Sequence, residues 1–241
     1  MTDTTPPRPD DVDVTDEAPP QPPMITAEGL DFGTGDSRIF GRLDFAIPAG
    51  ELAVIIGPVG AGKSVLLAGL VGRFKGFDGR LEVAGFDADK QSRHLRKITT
   101  AARIGSFVDL EPQHSINNAV AERAAIDGLS MARASTAYDR LATELEVDLD
   151  PGRLIGSLDG YHRTALTVVL AMLKPSKVLV VDDLHRDLNI DDQRLLLGRL
   201  TDLAVRTSTT IVVSTIEATT IPYEAVRVSI PAPGTPTTSS R

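Results

Sequence analysis

The sequence predicts an α/β fold with a mainly parallel sheet core and an inserted helical subdomain. Three observations lead there. Short Val- and Ile-rich runs alternate with helical patterns, as strand–helix units around a parallel sheet do. One run opens into a glycine-rich loop, GPVGAGKS (57–64). Another, VLVV (178–181), ends on two adjacent carboxylates, Asp182 and Asp183.

Each element follows in order. Residues 1–24 are Pro-rich and acidic, with too few apolar side chains to offset ordering entropy, and read as a disordered tail without a secretion signal. The folded part spans 25–230. LDFAI (43–47) and ELAVII (51–56) read as strands split by the turn residues PAG. SVLLAGLVGRF (64–74) has helical character, and GRLEVAGFD (79–87) reads as a strand and turn. The alternating charges of DKQSRHLRK (89–97) suit a solvated face, and RIGSFVDL (103–110) is a further β-type run. From about 112 to 160 the pattern is helical and Ala-rich, which marks the inserted subdomain. YHRTALTVVLAMLK (161–174) reads as a helix leading into the strand at 177–181. DDQRLLLGRLTDLAV (191–205) is a helix, TTIVVS (209–214) and AVRVSI (225–230) are strands, and 231–241 is a flexible tail.

Composition narrows the function. The chain of 241 residues carries a net charge of −8, which disfavours a nucleic-acid partner. It has no Cys, so disulfides and thiolate metal sites are excluded, and its 4 His residues show no metal-ligand spacing. No apolar run approaches the roughly 20 residues needed to span a bilayer. A cytoplasmic location is expected.

GPVGAGKS matches G-x-x-x-x-G-K-[ST] through Gly57, Gly62, Lys63 and Ser64. Glycines let a loop wrap phosphates with its N–H groups inward, and the following helix turns its positive dipole end to the same anion. Lys63 adds a charge that reaches the β- and γ-phosphates, and the Ser64 hydroxyl is suited to Mg²⁺. A chance match in such a chain has odds of roughly 1 in 100 at average residue usage. The nucleotide-binding residues predicted are Gly57, Pro58, Val59, Gly60, Ala61, Gly62, Lys63, Ser64 and Val65. Asp182, at the end of an apolar strand, is the expected magnesium-organising carboxylate.

These residues resemble the ATP-binding cassette (ABC) ATPases. IPAGELAVIIGPVGAGKSVLLAGLVG is similar to that family's strand, Walker A loop and helix, and KPSKVLVVDDLHRDLN to its Walker B strand and D-loop. The resemblance covers about 25–230 and implies a P-loop NTPase fold of ABC type, with an antiparallel β region beside the mainly parallel core, and with ATP and Mg²⁺ as ligands. It also implies a head-to-tail homo- or heterodimer of ATP-binding domains. A separate membrane subunit would hold the protein at the inner face of the cell membrane and dock over about residues 110–125. The activity implied is ATP hydrolysis that drives transport, with a regulatory ATP-binding switch as the alternative.

The departures from that pattern are specific. The family's catalytic Glu falls on Asp183, whose carboxylate is withdrawn by about 1.5 Å, one carbon–carbon bond. A misplacement of about 1 Å can cost roughly 100-fold in rate, so slow turnover is expected. The Q-loop Gln falls on Asp109, a candidate magnesium contact, with Gln113 nearby. The signature falls on SLDGY (157–161), where Gly160 agrees and Asp159 puts a negative charge near a γ-phosphate position. The D-loop Leu-Asp is Leu188-Asn189, and the switch His falls on Ile216, with His185 a distant substitute. The adenine-stacking aromatic falls near Thr34, with Phe32 as the nearest ring.

Overall fold

A computed structural model describes residues 22–33, 39–105 and 110–232. The N-terminal tail up to residue 21, Thr34, Asp109 and the tail from residue 233 lie outside them. Strands β1 (Ile25–Phe32), β2 (Phe40–Ile47), β4 (Asp78–Val83) and β5 (Phe86–Asp87) form an antiparallel sheet in the order β2-β1-β4-β5. Strands β3 (Leu52–Ile56), β6 (Thr99–Arg103), β7 (Val178–Val181), β8 (Thr210–Thr215) and β9 (Val226–Ser229) form a second sheet, ordered β6-β7-β8-β3-β9, whose pairs are all parallel.

The parallel sheet is buried on both faces, which is why its strands are apolar runs rather than alternating ones. Successive side chains divide between two cores with a period of two. Ala53, Ile55, Val178, Val180 and Val212 face one, with helix α1 (Lys63–Leu70) and the antiparallel sheet. Leu52, Val54, Leu179, Val181, Ile211 and Val213 face the other, with helices α3 (Ile116–Asp127), α4 (Met131–Glu144), α5 (Gly160–Ala171) and α6 (Ile190–Thr207).

Local chemistry sets the helix ends. Ser115, Ser130 and Asn189 cap α3, α4 and α6 by accepting a backbone N–H, and Gly128 ends α3 at φ 68°. The helix expected over 64–74 stops at Leu70, because Gly72 turns left-handed at φ 66° and its N–H bonds back to Gly69.

One expectation is revised where the structure describes it, and another holds. Of the β-type run expected at 103–110, residues 106–109 lie outside the described residues and Ile104 and Gly105 are not in a strand; Arg103 is the last residue of β6 (Thr99–Arg103, TTAAR), which pairs with β7. Its small Ala101 and Ala102 are buried, so pairing rather than β-propensity defines it. The charged stretch 89–97 presents the solvated face expected of it, with Lys90, Arg93, His94, Arg96 and Lys97 exposed; it contains helix α2 (Ser92–Ile98), which buries Ser92 and Leu95, and the Arg96 guanidinium donates to the Gly72 carbonyl at 2.8 Å.

Candidate functional site

The carboxyl ends of β3, β7 and β8 lie side by side, and crevices at such strand ends are where open α/β sheets bind ligands. The loop after β3 is tied to β8 by Gly57 N–H donating to the Thr215 carbonyl at 3.4 Å. Its glycines answer to different constraints. A Cβ on Gly57 would stand 2.7 Å from the Ile230 carbonyl. Gly62, at φ 88°, is the N-cap of α1, and a Cβ there would meet Ile39 and Phe40 side chains at 2.6 Å. Gly60 adopts φ 81° in open space. Val59 is exposed at the loop's tip, while Ala61 is buried beneath it.

No side chain caps α1, and its first turn carries no acidic residue. Its leading N–H groups and positive dipole end are therefore left for an anion. Lys63 is buried and donates from Nζ to the carbonyls of Gly57 at 2.8 Å and Pro58 at 2.9 Å. Burial lowers its pKa from the ordinary lysine value, opposed by Asp183 and then Asp182. Ser64 and Val65 follow it, half-buried, in the first turn.

Asp182 is fully buried at the exit of β7. Its Oδ1 accepts from the Ser214 hydroxyl at 2.5 Å and the Asp183 N–H at 3.1 Å, and its Oδ2 from the Gly105 N–H at 3.1 Å. The Ser214 hydroxyl in turn accepts from Asp183 N–H at 2.9 Å. Asp183 is half-buried and left-handed, at φ 47°. Arg103 reaches both residues: Nε donates to the Asp182 carbonyl at 3.0 Å and Nη2 to the Asp183 carbonyl at 2.7 Å. Neither Ser214 nor Arg103 was singled out from sequence, where no local pattern marks them.

The donors suit a phosphate-bound divalent ion. Among the described residues no cluster of three or more His, Asp or Glu forms a metal cage. An ion held here would take the Ser64 hydroxyl and the Asp182 carboxylate, with phosphate and water oxygens completing its shell.

Residues 40–185, more than half of the chain, match the family profile described as ABC transporter. The chain belongs to the ABC transporter family. This ABC chain is 28% identical over 189 residues to the mycobactin import ATP-binding/permease protein IrtB of Mycolicibacterium smegmatis, covering 77% of itself and 33% of that protein. It is 26% identical over 181 residues to the Nod factor export ATP-binding protein I of Burkholderia lata, covering 74% and 58%. The chain thus spans between a third and three fifths of the length of these curated relatives. Its fold is similar to cbiO1 from Clostridium perfringens, part of the ABC transporter complex cbiONQ, with a TM-score of 0.72, 17% identity and coverage of 86% and 87%. A nucleotide-free ATP-binding cassette gives a TM-score of 0.69 at 14% identity, with coverage of 86% and 87%.

Seen as an ABC domain, the chain shows what its unusual motif residues do. Asp159 caps α5, its carboxylate accepting from His162 N–H at 2.8 Å and meeting His162 Nδ1 at 2.8 Å. Desolvation raises its pKa, but the His162 N–H and ring outweigh that, leaving it below the usual carboxylate range. The signature helix thus carries its own anion at its N-terminus. The Ser157 hydroxyl donates to Leu154 O at 2.7 Å within its own turn, and Arg163 Nη2 reaches the Leu158 carbonyl at 2.8 Å. Ile216, the residue expected at the switch His position, stands just beyond β8 and is 47% exposed. His185 is half-buried, and its Nδ1 is buried without a hydrogen-bond partner. Gln113 lies on an exposed turn before α3, away from the paired carboxylates in sequence and outside their hydrogen bonds. The Phe32 ring packs edge-on against Phe74 at 4.8 Å and Phe77 at 5.7 Å, in a cluster with Phe40.

Proposed function

We propose that this chain is the ATP-binding subunit of an ABC-type membrane system, binding ATP-Mg²⁺ and hydrolysing it slowly to drive a separate membrane subunit. The observation that carries this reading is the uncapped, acid-free start of α1 beside buried Lys63 and Asp182. The α1 N–H groups and Lys63 would hold the phosphates, and Ser64 and Asp182 the ion. Magnesium supplies charge neutralisation on the phosphate oxygens. Asp183 would orient and deprotonate the attacking water, with a reach shortened by one carbon.

Nucleotide turnover in this reading takes place between two ATP-binding domains arranged head to tail. A membrane partner is supported by the groove of about 350 Å³ between β6 and α3, lined by Ala101, Ala102, Leu110, Glu122, Arg123 and Ile126 among others. Its lining includes residues between 110 and 126, which supports docking over about residues 110–125. Among the described residues no helix is long and apolar enough to cross a membrane, so a span would come from elsewhere.

Phosphate release with ATP and Mg²⁺, measured beside ATP affinity and with Lys63→Ala as blank, tests the reading. Binding with turnover above the blank supports it. Tight binding without turnover replaces the motor with an ATP-binding switch, and no binding overturns both.

A further inference from the structure

We propose that Arg103 is a positioning residue for the Asp182–Asp183 pair, its guanidinium fixing the left-handed turn that sets where the Asp183 carboxylate stands. Its catalytic consequence rests on the hydrolysis reading above; the geometry stands without it.

The parallel ladder ends at Val181, so the carbonyls of Asp182 and Asp183 lie beyond its regular pairing. Arg103, 7% exposed at the end of the adjacent β6, takes both. Its own carbonyl accepts the Asp182 N–H at 3.0 Å, so Asp182 is held to Arg103 through both its amide and its carbonyl. From the opposite side, β8 supplies Ser214, whose hydroxyl accepts the Asp183 N–H. Asp183 is thus gripped by its N–H from one neighbouring strand and by its carbonyl from the other.

That grip has a task. A φ of 47° is sparsely populated for a residue with a side chain and persists where surroundings over-determine it. Arg186 N–H also donates to the Asp183 carbonyl, at 2.9 Å, which closes the turn; against the sheet the turn is held by Leu184 N–H on the Ser214 carbonyl at 2.8 Å on the β8 side and by Arg103 on the β6 side. A buried guanidinium is costly to desolvate, and burial lowers its pKa, with Arg186 adding to that effect and Asp187, Asp183 and Asp182 opposing it. An apolar side chain would fill the same space without that cost. The recipients of its hydrogen bonds are the two residues whose side chains define the site. A flat, forked donor reaches two separated carbonyls from two nitrogens, whereas an ammonium must serve both from one.

The test uses the full chain with Arg103→Met and Arg103→Lys. Four quantities are read: steady-state phosphate release with ATP-Mg²⁺, ATP affinity by a fluorescent ATP analogue, melting temperature, and backbone hydrogen exchange over residues 181–185. Arg103→Met is expected to lower kcat about 10- to 100-fold, as a displaced catalytic group does, with ATP affinity held within about 3-fold. Arg103→Lys is expected to fall between it and the native chain. Exchange at the Asp183 and Leu184 amides is expected to accelerate in Arg103→Met while that of β3 is unchanged. Unchanged kcat, or a parallel loss of kcat, affinity and melting temperature, overturns the positioning role. If the native chain binds ATP without turnover, the hydrolysis reading fails by itself. Exchange then decides the positioning role: local acceleration supports it and unchanged exchange overturns it. If Arg103→Met does not fold, the same measurements on Arg103→Lys decide.

Discussion

The carbonyl oxygen of Asp187 lies against Gly160 so closely that a Cβ on that glycine would stand 1.9 Å from it. The loop after Asp183 is thereby seated on the first residue of α5, with Asp187 itself left-handed at φ 64°. Gly160→Ala is expected to push the two apart and to cost about 1–3 kcal/mol, as overpacking does. Urea unfolding of the two proteins checks it; equal midpoints would show that the loop yields freely.

Two glycines of the phosphate loop are expected to respond differently to the same substitution. Gly60→Ala meets open space and incurs only left-handed strain, about 1–2 kcal/mol. Gly62→Ala adds collisions with Ile39 and Phe40 and moves the N-terminus of α1. ATP affinity is expected to fall much further in Gly62→Ala than in Gly60→Ala. Titration with a fluorescent ATP analogue reads the difference, and equal losses would assign both effects to backbone strain.

Restoring reach and polarity is expected to raise turnover. Asp183→Glu extends the carboxylate by one carbon and is expected to raise kcat about 10- to 100-fold. Ile216→His supplies a polar group from the end of β8 and is expected to raise kcat further in the Asp183→Glu background. Phosphate release under saturating ATP-Mg²⁺ measures both. A native rate unchanged by either would place the limiting step outside these side chains.

Tyr138 predicts an alkaline limit to stability. Its hydroxyl donates to the Leu149 carbonyl at 2.5 Å in the helical core, and burial, aided by Asp139, Asp150 and Asp148, pushes its pKa up to about 12. The neutral phenol is the form the fold prefers. Its contribution is therefore complete below the unfolded value of about 10 and is lost as pH rises from there to about 12. Unfolding free energy is expected to fall across that window in the native chain and less steeply in Tyr138→Phe. Tyr138→Phe is also expected to cost about 1 kcal/mol at neutral pH through the lost hydrogen bond. Parallel pH profiles for the two proteins would contradict this.

Much of the site was legible because its chemistry is local. The loop's glycines, Lys63 and Ser64 sit within one short segment, and the apolar runs of β7 and β8 announce strands buried on both faces. Asp182 and Asp183 were visible for the same reason: carboxylates at the end of an apolar run stand out. Other residues have structural roles that the sequence did not show. Asp159 reads as a stray negative charge in a signature motif, whereas the fold uses it to cap α5 and bind His162. Phe32 reads as the nearest ring to the expected adenine-stacking position, and the fold also packs it edge-on against Phe74 and Phe77.

The sequence by itself determined the α/β plan, the phosphate loop and the paired carboxylates, since each depends on residues close together along the chain. Only the tertiary structure decided how those carboxylates are held. Arg103 and Ser214 lie 79 and 32 residues from Asp182, and they meet it because parallel pairing sets β6 and β8 on either side of β7. The same pairing makes a strand of TTAAR, whose small residues carry little β-propensity of their own. Hydrogen bonds between strands are formed across sequence distance, and no local pattern of residue types encodes which neighbour will supply the donor.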